Sequence, residues 1–368
     1  SDEMAVTQKG GDWYDGGIWL DIHRHTQTAA NGPIKDTWNG GYNAIAQVNN
    51  AIENGGLDAN LMAQAKVLRA YLHWRLLDLY GRIRYVDENG TSAQLSRSAG
   101  FDRIEGEILS ALGVSSVSAG MDLSASALNT GDVKYRINQF GALGILAKLY
   151  LNAEVYTGTA RWQEAHDAAD YIISNGSYRL SDSSVSVPNP SKRPAVSTDA
   201  ESLTGYAAVF SPSNYDNPEI IWSVEYDEAT AGGMNFHQMS LHYASQFTYL
   251  FQDQPWNGYS ALEEFYNSYE DGDARKEANF IIGAQTDFGG SVVVDLASDS
   301  NDPAINYSAS INELEPNAGR TDGARLGKFS FKNFARPDLD NDYPIVRLGD
   351  VYLMRAEAKA RVAGDWSM

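Results

Sequence analysis

Cysteine does not occur anywhere in the 368 residues. Its absence removes disulfides, thiolate nucleophiles and cysteine-bound zinc together. Long apolar runs are missing as well: no window approaches the roughly 18 consecutive apolar residues of a membrane-spanning helix, and Ser1 to Gly10 has neither the charged start nor the apolar stretch of a signal peptide. Basic charge is scarce. Lys and Arg number 28 against 48 Asp and Glu, for a formal net charge of −20, and the densest basic clusters are Arg82 with Arg84 and Lys192 with Arg193. Such a field repels polyanions, and these pairs fall far short of a nucleic-acid stripe or a polybasic membrane anchor. The usual catalytic signatures are also lacking: no Gly-x-Ser-x-Gly, phosphate-binding loop, His-Glu-x2-His or Gly-x-Gly-x2-Gly is present.

What the chain does have is helical periodicity. Trp38, Tyr42, Ile45, Val48 and Ile52 recur at three- and four-residue intervals, as do Leu61, Ala65, Leu68, Leu72, Leu76 and Leu79. Gly55 and Gly81 supply left-handed stops, so the two segments form an antiparallel hairpin. A second hairpin follows, with Ala142, Leu146, Leu149, Ala153 and Tyr156 on one helix and Trp162, Ala165, Ala169 and Ile172 on the next. Leu146, Ala147, Tyr150 and Ala165 stand in the places of a divergent tetratricopeptide repeat whose turn, Thr157 to Ala160, is expanded. With a helix from Phe101 to about Leu112, these segments predict a curved stack of helix pairs.

The middle of the chain differs. Ser181 to Asp199 is rich in Ser, Pro and Asn and reads as a surface loop, Glu219 to Tyr226 and Ser291 to Asp295 read as strands, and Ala244 to Asp253 and Ala261 to Tyr269 read as short helices. A loop-rich insertion on a helical scaffold is where function is expected. Length alone would favour two domains; the pattern is read instead as one domain over 1–368, cut at both ends, with scaffold helices at about 36–180 and 343–364 and a ligand-binding insertion at about 181–342.

Metal ligation finds little support. His23 with His25 and His237 with His242 are the paired histidines, and Asp338, Asp340 and Asp342 alternate as in a calcium loop but lack its glycine and closing glutamate. No metal and no cofactor is expected. Among the eight tryptophans, Trp38, Trp74, Trp162 and Trp222 sit in periodic segments, where core packing explains them. Trp13 and Trp19 instead bracket Asp15-Gly16-Gly17, and Trp256 lies between Pro255 and Gly258. An aromatic ring held on a turn is a flat apolar platform suited to the C–H face of a sugar. The candidate ligand contacts are therefore Trp13, Trp19 and Trp256 as platforms, Tyr259 as platform and donor, and Asp15, Asn235, His237 and Asn257 as readers of hydroxyl groups.

One segment is more specific than the rest. Tyr343 to Val362, YPIVRLGDVYLMRAEAKARV, couples an extended entry at Asp342-Tyr343-Pro344 to an alanine-rich helix with Val351, Met354, Ala358 and Val362 on one row and Leu348, Tyr352 and Ala356 on the adjoining one. Pro-Ile-Val-Arg followed by Asp-Val-Tyr-Leu-Met and Ala-Glu-Ala resembles the signature of the SusD/RagB family of outer-membrane nutrient-binding lipoproteins. Asn217 to Ile221, Tyr269 to Arg275, Leu68-Arg69-Ala70 and Asp12 to Asn43 extend the resemblance along the chain. It implies a mainly α, tetratricopeptide-like superhelix with a loop-rich insertion containing short strands. It also implies non-catalytic capture of oligosaccharide or polysaccharide at the surface of a Gram-negative cell and delivery to a SusC-like TonB-dependent transporter, with the membrane reached only through a lipid anchor upstream of this chain. Two other readings stay open: a tetratricopeptide scaffold that binds peptide or protein, and a glycosidase, which needs two carboxylates roughly 5 to 9 Å apart.

Overall fold

The computed structural model describes residues 2–192, 202–230, 232–298 and 301–367. The chain divides into two compact units. One comprises Pro33–Leu180, Pro218–Val224 and Pro344–Met368; the other comprises Ser1–Gly32, Ser181–Asn217 and Glu225–Tyr343. The architecture is mainly helical, with short two-stranded pairings. No helix among the described residues is long and apolar enough to cross a membrane.

In the first unit, helices Gly32–Asn54 and Ala59–Tyr80 run antiparallel. Trp38 meets Tyr80, Gly41 meets Leu76, and Asn49 accepts a hydrogen bond from Arg69. Their boundaries follow capping chemistry: Asp58 accepts from the Leu61 N–H at one end of the second helix, and Gly81, at φ 75°, closes the other. The expected face is only partly the buried one: Leu76 is buried and Leu68 and Leu72 pack half-buried against the core. Leu79 is exposed, and the deepest row is Ala63, Val67, Ala70, Trp74 and Leu77, on a helix that packs closely against the next, Arg97–Leu112.

Helices Gln139–Leu151, Trp162–Asn175 and Leu348–Ala363 complete the stack. The helix expected to continue through Tyr156 breaks at Asn152 and resumes as Ala153–Thr157 before the left-handed cap at Gly158. The extra residues of the repeat are thus spent on a helical turn as well as on the loop. A Cβ on Gly144 would lie 2.4 Å from Val346 Cγ1, so this glycine lets the strand Tyr343–Arg347 press onto the central helix. That strand pairs with Ile220–Val224. In the final helix Leu348, Val351, Met354 and Ala358 are buried, whereas Tyr352, Ala356 and Val362 face outward, so its apolar face is narrower than the sequence pattern implied.

The second unit is held by short antiparallel pairings: Met4–Val6 with Tyr259–Ala261, Ser186–Pro188 with Ser202–Thr204, Phe280–Ile281 with Arg325–Leu326, and Gly283–Ala284 with Asn306–Tyr307. The strand expected at Ser291 to Asp295 is reduced to isolated bridges at Val292 and Val294. The two helices expected nearby shorten to Ser245–Tyr249 and Glu263–Asn267. Part of the Ser181 to Asp199 loop lies outside the described residues. Of the alternating aspartates, Asp340 accepts from the Glu228 N–H and pairs with Lys332, and Asp342 accepts from the Tyr226 N–H, so both are engaged within the protein.

Candidate functional site

The pairing of Val6 with Tyr259 brings the N-terminal segment beside a turn some 250 positions further along the chain. That turn is locked by its own backbone. Trp256, Asn257 and Gly258 donate in succession to the carbonyls of Gln238, Leu241 and Met239, at 2.7, 2.9 and 2.9 Å. Gly258 has no room for a side chain, since a Cβ would stand 1.9 Å from Trp13 Cε3 and 2.5 Å from the Met239 carbonyl. The Trp13 ring therefore lies directly on glycine backbone.

Around Trp13 three other rings gather. Trp19 is centred 5.2 Å away, Trp256 5.6 Å and Tyr259 6.5 Å, all tilted or edge-on. Trp19 is aimed by Asp15, whose Oδ2 accepts from Nε1 at 2.8 Å. The bend that permits this needs positive φ at Asp15, Gly16 and Gly17, and a Cβ on Gly17 would strike the Tyr14 hydroxyl at 2.8 Å. Trp256 is 40 % exposed and Trp13 and Trp19 are half-buried, so the cluster forms a partly open aromatic patch. Tilted rings at these spacings stabilise one another by about 0.5–1.5 kcal/mol per pair.

Of the eight sequence-predicted contacts, Trp13, Asp15, Trp19, Trp256 and Tyr259 are brought together. Tyr259 is half-buried, with its hydroxyl donating weakly to the Phe236 carbonyl at 3.4 Å, and burial raises its pKa. Asn235 precedes the short helix Phe236–Ser240 on which the turn rests, and its side chain caps no backbone group. Two expectations are corrected. His237 is only 1 % exposed, with its ring against Phe251 and Phe331, and burial lowers its pKa to about 4, so it is a neutral core residue. Asn257 is fully buried and donates through Nδ2 to Asp12 Oδ2 and to the Arg320 carbonyl, which makes it a brace of the turn.

Sequence reasoning missed the charged support beneath this turn. Lys9 is almost completely buried and donates from Nζ to the Gly258 carbonyl at 2.6 Å and to Thr7 Oγ1 at 3.0 Å. Burial first, and then the positive charge of Arg325, holds its pKa well below the usual lysine range. Arg320 bonds Asp295 at 2.6 Å and pairs with Asp12 at 3.3 Å, while the fully buried Arg325 donates to the carbonyls of Ser240 and Arg320. His242 lies 3.5 Å from Asp295, yet burial and the cations Arg325, Arg320 and Lys9 lower its pKa to about 3, so this contact holds a neutral imidazole. Nothing in the local pattern around Lys9 marks it, because a buried lysine is defined by partners far away in sequence.

Known proteins resemble the chain along most of its length. The family model described as starch-binding and associating with the outer membrane matches residues 3–151, and that of the SusD family matches residues 195–366. SusD-like protein P25 of Formosa agariphila is 23% identical over 346 residues, covering 90% of this chain. The chain spans 59% of the length of that relative. Among solved structures, a SusD superfamily protein from Parabacteroides distasonis superposes with a TM-score of 0.69 at 19% identity, covering 99% of this chain and 69% of the other. The surface glycan-binding protein A of Bacteroides thetaiotaomicron, in complex with laminarihexaose, gives 0.66 at 16% identity, with 99% and 72% coverage. The helical stack, the strand-to-helix signature at Tyr343–Ala363 and these matches agree: the chain belongs to the SusD/RagB family.

Proposed function

We propose that this protein is a non-catalytic carbohydrate-binding protein that holds oligosaccharide or polysaccharide on the patch formed by Trp13, Trp19, Trp256 and Tyr259. The observation that carries the reading is the convergence of four rings from two segments far apart along the chain on one partly open, backbone-braced turn. Exposed indole faces match the C–H face of a pyranose, and Asp15 stands at the edge of the patch as an acceptor for hydroxyl groups. Binding of this kind needs no proton transfer, which fits the lack of a catalytic signature in the sequence. The glycan ligand of the Bacteroides thetaiotaomicron relative supports the ligand class. The same reading places the protein as a surface-exposed outer-membrane lipoprotein that passes its glycan to a SusC-like TonB-dependent transporter.

The test is affinity electrophoresis in gels cast with laminarin, xyloglucan and other plant, fungal and host polysaccharides. Trp256→Ala is expected to weaken retention at least tenfold while far-UV circular dichroism is unchanged. Retention that survives in Trp256→Ala, Trp13→Ala and Trp19→Ala alike would remove the patch from the mechanism. Release of reducing sugar by the purified chain would instead make the protein an enzyme.

A further inference from the structure

The helical unit contains an open cavity of about 750 Å³ whose lining includes Trp38, Tyr80, Arg82, Gln94, Ser96 and Arg97. Its aromatic corner is rigid. Trp38 and Tyr80 meet edge-on with centroids 4.9 Å apart, Tyr42 backs Trp38 at 4.8 Å, and the Tyr80 hydroxyl donates to the Ile34 carbonyl at 2.6 Å. Gly81 forms part of the wall, and a Cβ there would lie 2.8 Å from Arg97 Nη2, so the guanidinium rests against bare backbone.

The charges of this wall are unanswered. Among the described residues neither Arg82 nor Arg97 makes an ion pair or a side-chain hydrogen bond, although the chain carries 48 Asp and Glu. Among the other arginines of the same unit, Arg69 pairs with Glu88 and Glu107, Arg103 with Asp87, Arg161 with Glu105 and Arg355 with Asp170, while Arg84 and Arg136 are also without an ion pair among the described residues but do not line the cavity. No carboxylate lines the cavity among the described residues. Its side-chain hydrogen-bonding capacity is weighted to donors, because two guanidiniums have no acceptor atoms and Ser96 Oγ already accepts from the Ala99 N–H. A wall of donors without acidic groups complements an anion better than a neutral sugar, whose hydroxyls also need acceptors.

We propose that the Trp38–Tyr80–Arg82–Arg97 cavity is a second saccharide subsite, selective for a sugar that carries a carboxylate or sulfate. The sugar ring rests on the Trp38–Tyr80 corner and the anionic group is held by the two guanidiniums. Local charge here opposes the overall acidity of the chain, so the net charge of −20 does not decide the ligand. The proposal rests on the saccharide-binding reading above but uses a different set of residues.

Isothermal titration of the whole chain with oligogalacturonate, a sulfated galactan oligosaccharide, laminarihexaose and hexaglutamate tests it. One or both anionic saccharides are expected to bind, with affinity falling as NaCl is added, and Arg82→Gln or Arg97→Gln should each weaken that binding at least tenfold without moving the melting temperature. The uronate and sulfate arms identify which anion is read. Binding of neither anionic saccharide, or equal binding by both arginine variants, overturns the proposal. Binding of hexaglutamate alone overturns it in favour of an acidic peptide. Trp256→Ala separates the two sites: anionic saccharide binding that persists when laminarin retention is lost supports two subsites, and joint loss places the anion on the aromatic patch and overturns the second one. If laminarin retention is indifferent to Trp256→Ala while the arginine variants lose the anionic sugar, the aromatic-patch reading fails and this one stands.

Discussion

The helical unit buries one continuous apolar cluster that runs from Ile45 through Trp74, Leu146 and Tyr150 to Ala358, whereas the unit with the aromatic patch buries Lys9, His237, Gln238, His242, Asn257, Arg325, Asn341 and Asp342. The difference follows from backbone. A helix satisfies its own N–H and C=O groups, so its neighbours need supply only hydrocarbon. Loops leave those groups open, and side chains must close them: Asn214 donates to the Val209 and Asp342 carbonyls, and Asn341 to those of Phe210 and Ser330. A loop-rich unit is thereby made rigid enough to hold tryptophans on turns, which helical packing alone does not do.

The contrast can be broken most severely where the helical unit buries a charged cluster of its own. Arg69 is 2 % exposed and pairs with Glu107 and Glu88 while donating to Asn49. Arg69→Met would leave the Glu107 carboxylate without the guanidinium it is hydrogen-bonded to, at a cost of about 3–5 kcal/mol. The expected outcome is a large drop in the urea midpoint; an unchanged midpoint would show that the ionic group is dispensable there.

Acid should act on both units through histidine. Burial lowers the pKa of His73 in the helical unit to about 4, that of His237 to about 4 and that of His242 to about 3, from an ordinary value of 6.5. His73 is fixed as a neutral ring, with Nδ1 against the Arg69 carbonyl and Nε2 accepting from the Val86 N–H. Below pH 6.5 the unfolded chain takes up protons that the folded chain refuses, so stability is full above that pH and falls as pH drops toward 4. At 1.36 kcal/mol per pKa unit the loss is on the order of 3 kcal/mol for each residue. Melting temperatures measured from pH 7.5 to 4 check the fall, and histidine ring NMR shifts that titrate near 6.5 in the folded protein would contradict it.

Gly258→Ala sharpens the comparison on the other side. Overpacking there costs about 1–3 kcal/mol and pushes the Trp13 ring off the turn. Polysaccharide retention should disappear while helical circular dichroism at room temperature stays constant. Smallest is Asp15→Ala, which removes the exposed hydrogen bond to Trp19 Nε1. It should cost under about 1 kcal/mol of stability and weaken retention two- to threefold; loss as large as that of Trp256→Ala would mean that the Asp15 hydrogen bonds to the glycan weigh as much as stacking on the rings.

Much of the scaffold was legible because helical periodicity and caps are local. Gly81 closes the second helix as the pattern implied, and the first ends at Asn54 as expected, although its left-handed residue is Gly56 and not Gly55. Faces were less legible: Ala59–Tyr80 carries apolar residues on more than one side, and the side buried deepest was chosen by the neighbouring helix. The aromatic patch was half legible. Tryptophans beside Gly and Pro announced themselves, but His237 and Asn257 look like surface polar residues until the Phe251–Phe331 cluster and the Asp12 carboxylate close over them.

By itself the sequence determined the helical hairpins, the strand-to-helix signature at Tyr343 to Val362 and the turn character around Trp13 and Trp256, since each depends on residues close along the chain. Tertiary structure alone decided that Trp13 and Trp256 share one patch, that Lys9 holds the carbonyl of Gly258, and that Arg82 and Arg97 line a cavity without an acidic partner. Contacts between residues hundreds of positions apart are chosen by the packing of the folded chain, and no local pattern records them.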